Sequence, residues 1–588
     1  MSTLVLVVPL LLLTLTVARP GPLPAPTLPA VFDEETAMAL TTELTGRHPR
    51  RHPGSPGAEA AARWVAGKLA LYGLDVDVDT WVADIPDLGP TPLTNVTAIV
   101  PGRSRDVVAV VAHRDTTTRG PGANDNASGT AALIELARAY VAAGTAAGRA
   151  QPQHTLVFLS DDGGAYGGVG VAHFAERERF RGRVLAAMVL DGLAGRRRPR
   201  LEVTGDASRS SAPALVRTAS ARVEEQTRRP PAQPSVLRQL VDLGLPFGYG
   251  DQAPLLGAGV SAVRLTTADD SGDSAATDSL ERLDEVRFSR LGRAAQTLLA
   301  SLDGGAELAR GTGATLVIGD RFVRGWALGL VFLAATLPFL VVVTDLVARC
   351  RRRRIPLFPA VRAMRSRLLV ALWIGAVLWL GVLGGVLPDG VVRPLPPNGP
   401  SATDWPIVGL AALGAVALAS WLLARPRLRR LRPPTAEEEL AGYTVALATL
   451  GVVALATALA SPLALLFVLP SLYAWLWLVQ LHATGPRWTK DVLFGLGFAG
   501  PVLALVSLAT RFDLGPDTLL YVTGLASVGY LPWTRVVLVL AWAAVAAQLG
   551  ALVAGRYAPY ADGVAAPPPG PVREGVRRVV ATAQSRRR

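Results

Sequence analysis

The sequence is poor in cysteine and lysine, and each shortage excludes a class of protein. Its 588 residues include a single cysteine, Cys350, so an internal disulfide framework is excluded. Lys68 and Lys490 are its lysines, and arginine supplies the rest of a formal net charge of +13. Because these arginines cluster beside apolar segments and not on one polar face, we expect no nucleic-acid partner.

Ionisable residues are scarce within the apolar segments of the C-terminal half. Asp345 lies near the end of one segment, and no Asp, Glu, Lys or His stands in the middle of any of them. Ionisable residues inside a membrane span usually mark the path of a transported ion or substrate. The sequence therefore disfavours an ion-coupled transporter and favours a bundle that anchors the protein in the lipid bilayer.

Seven segments of this half are long and apolar enough to cross a hydrocarbon core about 30 Å thick, which takes roughly twenty residues. They are residues 326–347, 368–387, 406–424, 441–460, 463–481, 492–510 and 536–555. Residues 521–532 are too short to span and suit a re-entrant or interfacial piece. We therefore predict an all-α membrane bundle of about seven spans that follows a soluble domain.

Arginine clusters predict the orientation of this bundle. They lie at 349–367, 425–432 and 573–588, whereas the alternate loops hold few arginines. Loops rich in Lys and Arg face the cytoplasm. We therefore expect a multi-pass protein of the cell membrane, with the N-terminal domain outside and the basic tail in the cytoplasm.

The N-terminal segment and the composition shifts predict five parts. The apolar run at residues 3–18 suits a secretory signal peptide or a short anchor, and both alternatives stay open. A proline-rich spacer follows it at residues 20–29. The predicted parts are 1–29 (signal or anchor with spacer), 30–305 (extracytoplasmic domain), 306–325 (linker), 326–555 (membrane domain) and 556–588 (cytoplasmic tail).

Within the soluble half, apolar runs and helical periodicity alternate, which is typical of an α/β domain. Strands are predicted at 74–82, 93–100, 107–111, 155–160, 184–190 and 260–266, and helices at 34–44, 58–71 and 130–143.

The stretch VAHRDTTTRGPGANDNASG joins the strand at 107–111 to the helix at 130–143. It carries His113, Asp115, Asn124 and Asp125. Ligands collect at the carboxyl ends of strands in open α/β sheets, and these residue types bind metal ions. The stretch therefore predicts a metal-binding loop.

Three later strands also end in carboxylates. The strand at 155–160 leads into Asp161 and Asp162, followed by GGAYGG, and the strand at 184–190 leads into Asp191. Neighbouring residues on an extended end point in different directions, so one carboxylate of the pair can bind metal while the other faces a water molecule. A solvated turn is the alternative. The strand at 260–266 ends near Asp269, Asp270 and Asp273.

The other histidines are expected to play ordinary roles. His48 and His52 lie in GRHPRRHPGSPG, where the prolines forbid a helix, and this predicts a basic surface loop. His154 and His173 are expected to be surface or packed residues.

The order of these motifs resembles a known family over residues 34–302. His-x-Asp follows a strand, GANDNASG precedes a helix, a carboxylate pair is followed by glycines, and a further Asp ends the next strand. The chain resembles the co-catalytic zinc aminopeptidases of peptidase family M28, including membrane-bound members. The resemblance implies a three-layer α/β/α domain with a mixed sheet. It also implies one or two zinc ions and hydrolysis of peptides outside the cytoplasm.

The resemblance also implies roles for individual residues. Zinc ligands would be His113, Asp125, Asp162 and Asp191. Asp115 would orient His113, and Asp161 would be the general base.

The sequence departs from the family at two places. Asp161-Asp162 stands where the family has Glu-Glu, and the family's last histidine ligand corresponds to Ser274, next to Asp273, a further candidate oxygen ligand. Two functions therefore remain open, namely a membrane-anchored zinc metallopeptidase of aminopeptidase type, or a catalytically impaired peptidase-like scaffold or binding protein of the membrane.

Overall fold

The computed structural model describes most of the chain. The described residues are 10, 14, 16–146, 151–268, 275–424, 431–481, 486–555 and 557–559. The predicted ligand Asp273, with Asp269, Asp270 and Ser274, lies outside them, as do most of the apolar run at residues 3–18 and most of the basic tail.

The N-terminal half alternates strands and helices. Its strands are β1 (Val17–Ala18), β2 (Asp75–Ile85), β3 (Gly89–Val100), β4 (Ser104–His113), β5 (His154–Asp161), β6 (Val184–Asp191), β7 (Arg200–Glu202), β8 (Ser210–Ser211), β9 (Ser261–Thr266), β10 (Thr312–Gly313), β11 (Thr315–Ile318) and β12 (Arg321–Arg324). Its helices are α1 (Glu34–Arg47), α2 (Pro56–Leu71), α3 (Gly129–Ala146), α4 (Val169–Glu176), α5 (Pro213–Thr227), α6 (Val236–Gly244), α7 (Gln252–Gly257) and α8 (Glu285–Asp303).

Seven of these strands form one mixed sheet, in the order β2-β3-β5-β4-β6-β9-β7. The central strands β5, β4, β6 and β9 run parallel, while β2, β3 and β7 pair antiparallel with their neighbours. All six strands predicted from apolar runs are present in this sheet, which confirms the predicted mixed α/β domain.

Helices cover both faces of the sheet. The alternation along β4 sends Val108 and Val110 to one face, where they pack with residues of α1, α2, α3, α5 and α8. Val107, Ala109 and Val111 point to the other face, where they pack with residues of α4 and α7. The domain is therefore the predicted three-layer α/β/α arrangement, with β4 buried on both sides.

Two predicted connecting segments are part of the folded domain. In the expected proline-rich spacer, Leu23 is 3% exposed and its backbone N–H donates to Thr218 Oγ1 at 2.9 Å. The expected linker at 306–325 contains β10, β11 and β12, and β12 pairs with β1. The sequence did not predict the packing of these segments, because short strands and single buried residues show little hydrophobic periodicity.

The C-terminal half is helical. Its main helices are α9 (Gly325–Arg352), α10 (Phe358–Leu383), α11 (Ile407–Ala424), α12 (Ala436–Ala460), α13 (Leu465–Leu481), α14 (Arg487–Leu496), α15 (Ala499–Phe512), α16 (Thr518–Ser527) and α17 (Trp533–Val553).

Each of the seven predicted spans falls on one of these helices or on a bent pair. Among the described residues, five helices are long and apolar enough to cross a membrane, and a sixth span arises if α14 and α15, bent by 48°, count as one. The described part of α11 is a shorter apolar helix. The structure therefore supports five or six spans by length and does not confirm seven.

The two halves contact each other through a buried ion pair and an aromatic cluster. Arg511, at the end of α15, donates from Nη1 to Asp242 Oδ1 at 3.3 Å, and both side chains are 6% exposed. Phe247 packs edge-on against Phe512 and Tyr521. These contacts seat the helical half against the α/β domain.

Candidate metal centre

The carboxyl ends of three parallel strands bring the predicted site residues together. His113 ends β4 and lies opposite Asp161, the last residue of β5. Asp191 ends β6, which pairs with β4 on its other side. Parallel strands end at the same edge of a sheet, so this part of the site follows directly from the strand pattern.

His113, Asp125 and Asp191 form a cluster that can hold a metal ion. His113 Nε2 lies 3.2 Å from Asp125 Oδ1 and 3.9 Å from Asp191 Oδ1. One possible ligand atom from each residue lies within 4.8 Å of the others. These spacings suit a shared cation, since an imidazole nitrogen and two carboxylates are ligands that zinc accepts.

Asp115, which the family resemblance implies as the residue that orients His113, lies beside the imidazole of His113. Its Oδ1 lies 3.3 Å from His113 Nδ1, which leaves Nε2 facing the cluster. The carboxylate is held by the backbone N–H groups of Gly164, at 2.9 Å, and Ala165, at 3.1 Å. A Cβ on Gly164 would lie 2.2 Å from His113 Cβ, so the glycine-rich loop can approach the imidazole only with glycine there.

Hydrogen bonds of residues 124–126 fix the loop before α3 and so place Asp125. The backbone N–H groups of Asn124 and Asp125 each donate to the Asp278 carboxylate at 2.8 Å. Asn126 Oδ1 accepts from Gly192 N–H at 2.9 Å, which ties the loop to the end of β6. Asn124 Oδ1 accepts from Ala194 N–H at 2.9 Å. The Asn124 side chain therefore helps to position the loop, whereas the sequence suggested that it could bind the metal.

Asp161 and Asp251 are buried carboxylates beside the cluster. Within the described part of the chain, neither oxygen of either group has a hydrogen-bond partner. Burial, together with the charge of Asp251, raises the pKa of Asp161 well above its usual range. Burial likewise raises the pKa of Asp251 to about 7. Sequence reasoning missed Asp251, because no apolar strand precedes it; the turn residues GYG before it are the one signal.

Asp162 is paired with a buried arginine through one of its two carboxylate oxygens. Its Oδ2 accepts from Arg114 Nη2 at 3.0 Å and from the Thr94 N–H at 3.1 Å. Burial raises the pKa of Asp162 to about 6, with the Arg114 charge opposing the rise. The carboxylate is not among the three groups of the cluster, so a ligand role for Asp162 stays a prediction that depends on its Oδ1.

Asp191 is paired with a second buried arginine. Arg264 Nε donates to Asp191 Oδ2 at 2.5 Å, and both side chains are 4% exposed. Although burial opposes it, this charge and that of His113 lower the pKa of Asp191. One carboxylate oxygen of Asp191 therefore faces a fixed cation, and Oδ1 is left to face the cluster.

The charges of the site fit a bound cation. Asp161, Asp251 and Asp191 Oδ1 are buried oxygens without hydrogen bonds among the described residues. An ionised carboxylate that is buried and unpaired is costly, and a divalent ion at the His113 cluster would compensate several of these groups at once. The residues present therefore fit a bound ion, which His113, Asp125 and Asp191 would hold.

Two adjoining cavities meet at Asp125. The larger, of about 480 Å³, runs between Thr116 and Leu283 and has Arg196 and Arg282 in its lining. The smaller, of about 50 Å³, lies against His113 and Asp251. A substrate chain can therefore reach the cluster along the larger cavity.

The remaining predicted residues lie elsewhere. His154 Nε2 is 3.0 Å from Glu307, and His173 stacks on Trp81 with ring centroids 4.0 Å apart, so neither reaches the cluster. The prediction of a basic surface loop around His48 needs correction at Arg51. This residue lies within the loop, but its side chain is 0% exposed. The Arg51 guanidinium donates to four backbone carbonyls, of His48, Arg114, Pro121 and Gly122. Such acceptors cannot be seen in a sequence.

Comparison with protein families gives a match over the α/β domain. Residues 95–299 match the model for peptidase family M28. Over 88 residues, 15% of this chain, the sequence is 38% identical to transferrin receptor protein 2 of Homo sapiens, and it covers 10% of that protein. Over 180 residues, 26% of this chain, it is 28% identical to a probable zinc metalloprotease of Leptosphaeria maculans, of which it covers 40%. The chain thus spans less than half the length of these relatives.

Two solved structures are similar to part of the chain. The zinc aminopeptidase BSAP from Bacillus subtilis is 14% identical, with a TM-score of 0.38, and the match covers 48% of this chain and 98% of that one. A glutaminyl cyclase from an Acidobacteriales bacterium is 19% identical, with a TM-score of 0.37, and the match covers 48% and 99%.

Proposed function

Because the chain belongs to peptidase family M28 through residues 95–299, we propose that it is a membrane-anchored, zinc-dependent metallopeptidase of aminopeptidase type. The observation that carries the proposal is the cluster of His113, Asp125 and Asp191, with ligand atoms within 4.8 Å of one another. The orphaned carboxylate of Asp161 lies at the neighbouring strand end. Together they supply a cation site and a base.

A zinc ion bound there would polarise the scissile carbonyl and lower the pKa of a water molecule. Asp161 accepts the proton of the attacking water and delivers it to the leaving amine nitrogen as the C–N bond breaks. Its raised pKa suits this role, because a base works best when its pKa approaches the operating pH. Asp115 keeps His113 Nε2 directed at the cluster throughout.

The free amino end of the substrate is the group that Asp251 suits. Its carboxylate faces the smaller cavity, and neither oxygen has a partner among the described residues. A substrate ammonium group would supply both charge and hydrogen bonds there. This favours release of N-terminal residues over cleavage within a chain.

The helical half supports the proposed location. Five helices among the described residues suit a membrane protein, and the arginine clusters at 349–367 and 425–432 favour a cytoplasmic side opposite the peptidase domain. We therefore propose that peptide substrates are cut outside the cytoplasm by a domain held at the membrane.

Turnover of aminoacyl-4-nitroanilides by the zinc-loaded full chain tests the proposal. Asp161→Asn should lower kcat about 100-fold or more, because general-base catalysis contributes this much, while zinc content stays unchanged. Asp106→Asn, an exposed change on the same strand as His113, should leave kcat unaltered. Equal turnover in Asp161→Asn would refute its role as the base.

A second function, a peptidase-like scaffold without catalysis, is favoured by the two buried arginines. Arg114 binds Asp162 and Arg264 binds Asp191, so each occupies an oxygen that a second ion would need. A chain that binds zinc and cuts no peptide would support this alternative.

A further inference from the structure

A loop of the helical half lies across the α/β domain beside the candidate site. This strap, residues 388–405, connects α10 to α11, and its segment 394–397 is buried. The Val391 N–H donates to the Asp84 carbonyl at 2.7 Å, and Arg393 Nε donates to the Gly167 carbonyl at 2.6 Å. The strap is thus bonded to the backbone of the peptidase domain.

An ion pair fixes the first part of the strap. Arg393 pairs with the Asp206 carboxylate, and their side chains are 10% and 15% exposed. The Tyr530 hydroxyl donates to the same carboxylate at 2.7 Å, and the Tyr521 hydroxyl donates to the Leu395 carbonyl at 3.0 Å. Contacts from α16 and the loop after it therefore hold the strap in place.

The glycine-rich loop after Asp162 is shaped to receive the strap. Gly167 has φ +82°, and a Cβ there would lie 2.5 Å from the Pro394 carbonyl oxygen. Only glycine permits both this backbone conformation and this approach. The same loop supplies Gly164 and Ala165, whose N–H groups hold Asp115, so the strap touches the element that orients the zinc ligand.

Two residues of the strap reach the site itself. Pro397 and Asn398 line the smaller cavity together with His113 and Asp251. Pro397 is buried and Asn398 half-buried. The cavity holds about 50 Å³, which is room for a few water molecules at roughly 10–15 Å³ each. Such a space accommodates the first residue of a peptide only when its side chain is small.

We propose that the strap is the end wall of the site and that Asn398 is a specificity-determining residue, which restricts substrates to peptides with a free amino end and a small first side chain. This inference rests on the proposed peptidase function. It makes the membrane half part of the site, because the wall comes from a loop between two of its helices.

Substrate preference in the full chain tests this wall. Wild type should cleave Ala-4-nitroanilide at least tenfold better in kcat/KM than Leu-4-nitroanilide, because added methylenes that do not fit cost about 10-fold or more. Asn398→Ala should raise the Leu:Ala ratio about tenfold, chiefly through KM for the Leu substrate. Val392→Ala, at a strap residue that is 62% exposed, is the matched control and should keep the wild-type ratio. An unchanged ratio in Asn398→Ala would overturn the proposal.

Thiol labelling tests the seating of the strap without any turnover. The native Cys350 is buried, so background labelling should be slow. Asn398→Cys should react with a small methanethiosulfonate but resist a polyethylene-glycol maleimide, whereas Val392→Cys should react with both. Equal maleimide rates at the two positions would contradict a seated wall. A zinc-loaded wild type that cleaves no peptide would refute the proposed function, and protection of Asn398→Cys would still support the wall.

Discussion

Replacing Arg264, which pairs with Asp191 of the candidate metal site, should show how much this ion pair stabilises the α/β domain. In Arg264→Gln, Asp191 would keep a buried carboxylate but lose the cation 2.5 Å from its Oδ2. Breaking a buried ion pair by removing one partner costs about 3–5 kcal/mol. For a domain of this size each kcal/mol shifts the melting temperature by roughly 2–4 °C. When both proteins are kept free of zinc by a chelator, we therefore expect the α/β domain of Arg264→Gln to melt roughly 10 °C below that of the wild type.

Zinc should reverse much of this loss. A cation at His113, Asp125 and Asp191 would compensate the Asp191 charge in place of Arg264. Saturating zinc should therefore reduce the difference in melting temperature between the variant and the wild type. Differential scanning fluorimetry of the full chain, with chelator and with zinc, measures both effects. Arg196→Gln, at an exposed arginine of the larger cavity, is the control. A variant as stable as wild type in chelator, or a deficit that zinc leaves unchanged, would refute the reasoning.

Four further outcomes are expected. Zinc at a hundredfold excess over its Kd should raise the free energy of unfolding by about 2.7 kcal/mol, and His113→Ala should abolish this rise in the same melting assay. Arg114→Met, which leaves Asp162 unpaired, should cost about 3–5 kcal/mol in denaturant unfolding; stability equal to wild type would contradict a buried pair. Gly164→Ala should weaken zinc binding in equilibrium dialysis, since its Cβ would meet His113 Cβ at 2.2 Å; unchanged binding would show that the loop adjusts. Burial raises the pKa of Asp242 although the charge of its partner Arg511 opposes the rise, so its stabilising contribution is present at low pH and is lost as the pH rises through the raised pKa. Asp242→Asn should therefore gain melting temperature relative to wild type as the pH rises from about 4, and a difference independent of pH would contradict this.

The strand pattern predicted the half of the site that lies on the sheet. Apolar runs ending in His113, Asp161 and Asp191 identify strands, and parallel strands deliver their carboxyl ends to one edge. The position of Asp125 followed from the loop between β4 and α3. These residues were predictable because each lies next to an element with a strong local signal.

The rest of the site depends on contacts between distant parts of the chain. Arg114 reaches Asp162 across 48 positions, and Arg264 reaches Asp191 across 73. No local periodicity encodes such pairs. The strap is the extreme case, because Asn398 enters a cavity lined by His113 from the other half of the protein. Hydropathy identified the helices on either side of the strap but not the contact that the loop makes.

Zinc titration of the purified full chain is the most direct test of the metal centre. Isothermal titration calorimetry of the wild type should show about one zinc ion bound per chain, and Asp125→Asn should weaken its binding at least tenfold, as loss of a group around a metal typically does. Wild type that binds no zinc, or an Asp125→Asn variant that binds it equally well, would contradict the assignment of His113, Asp125 and Asp191 as its ligands.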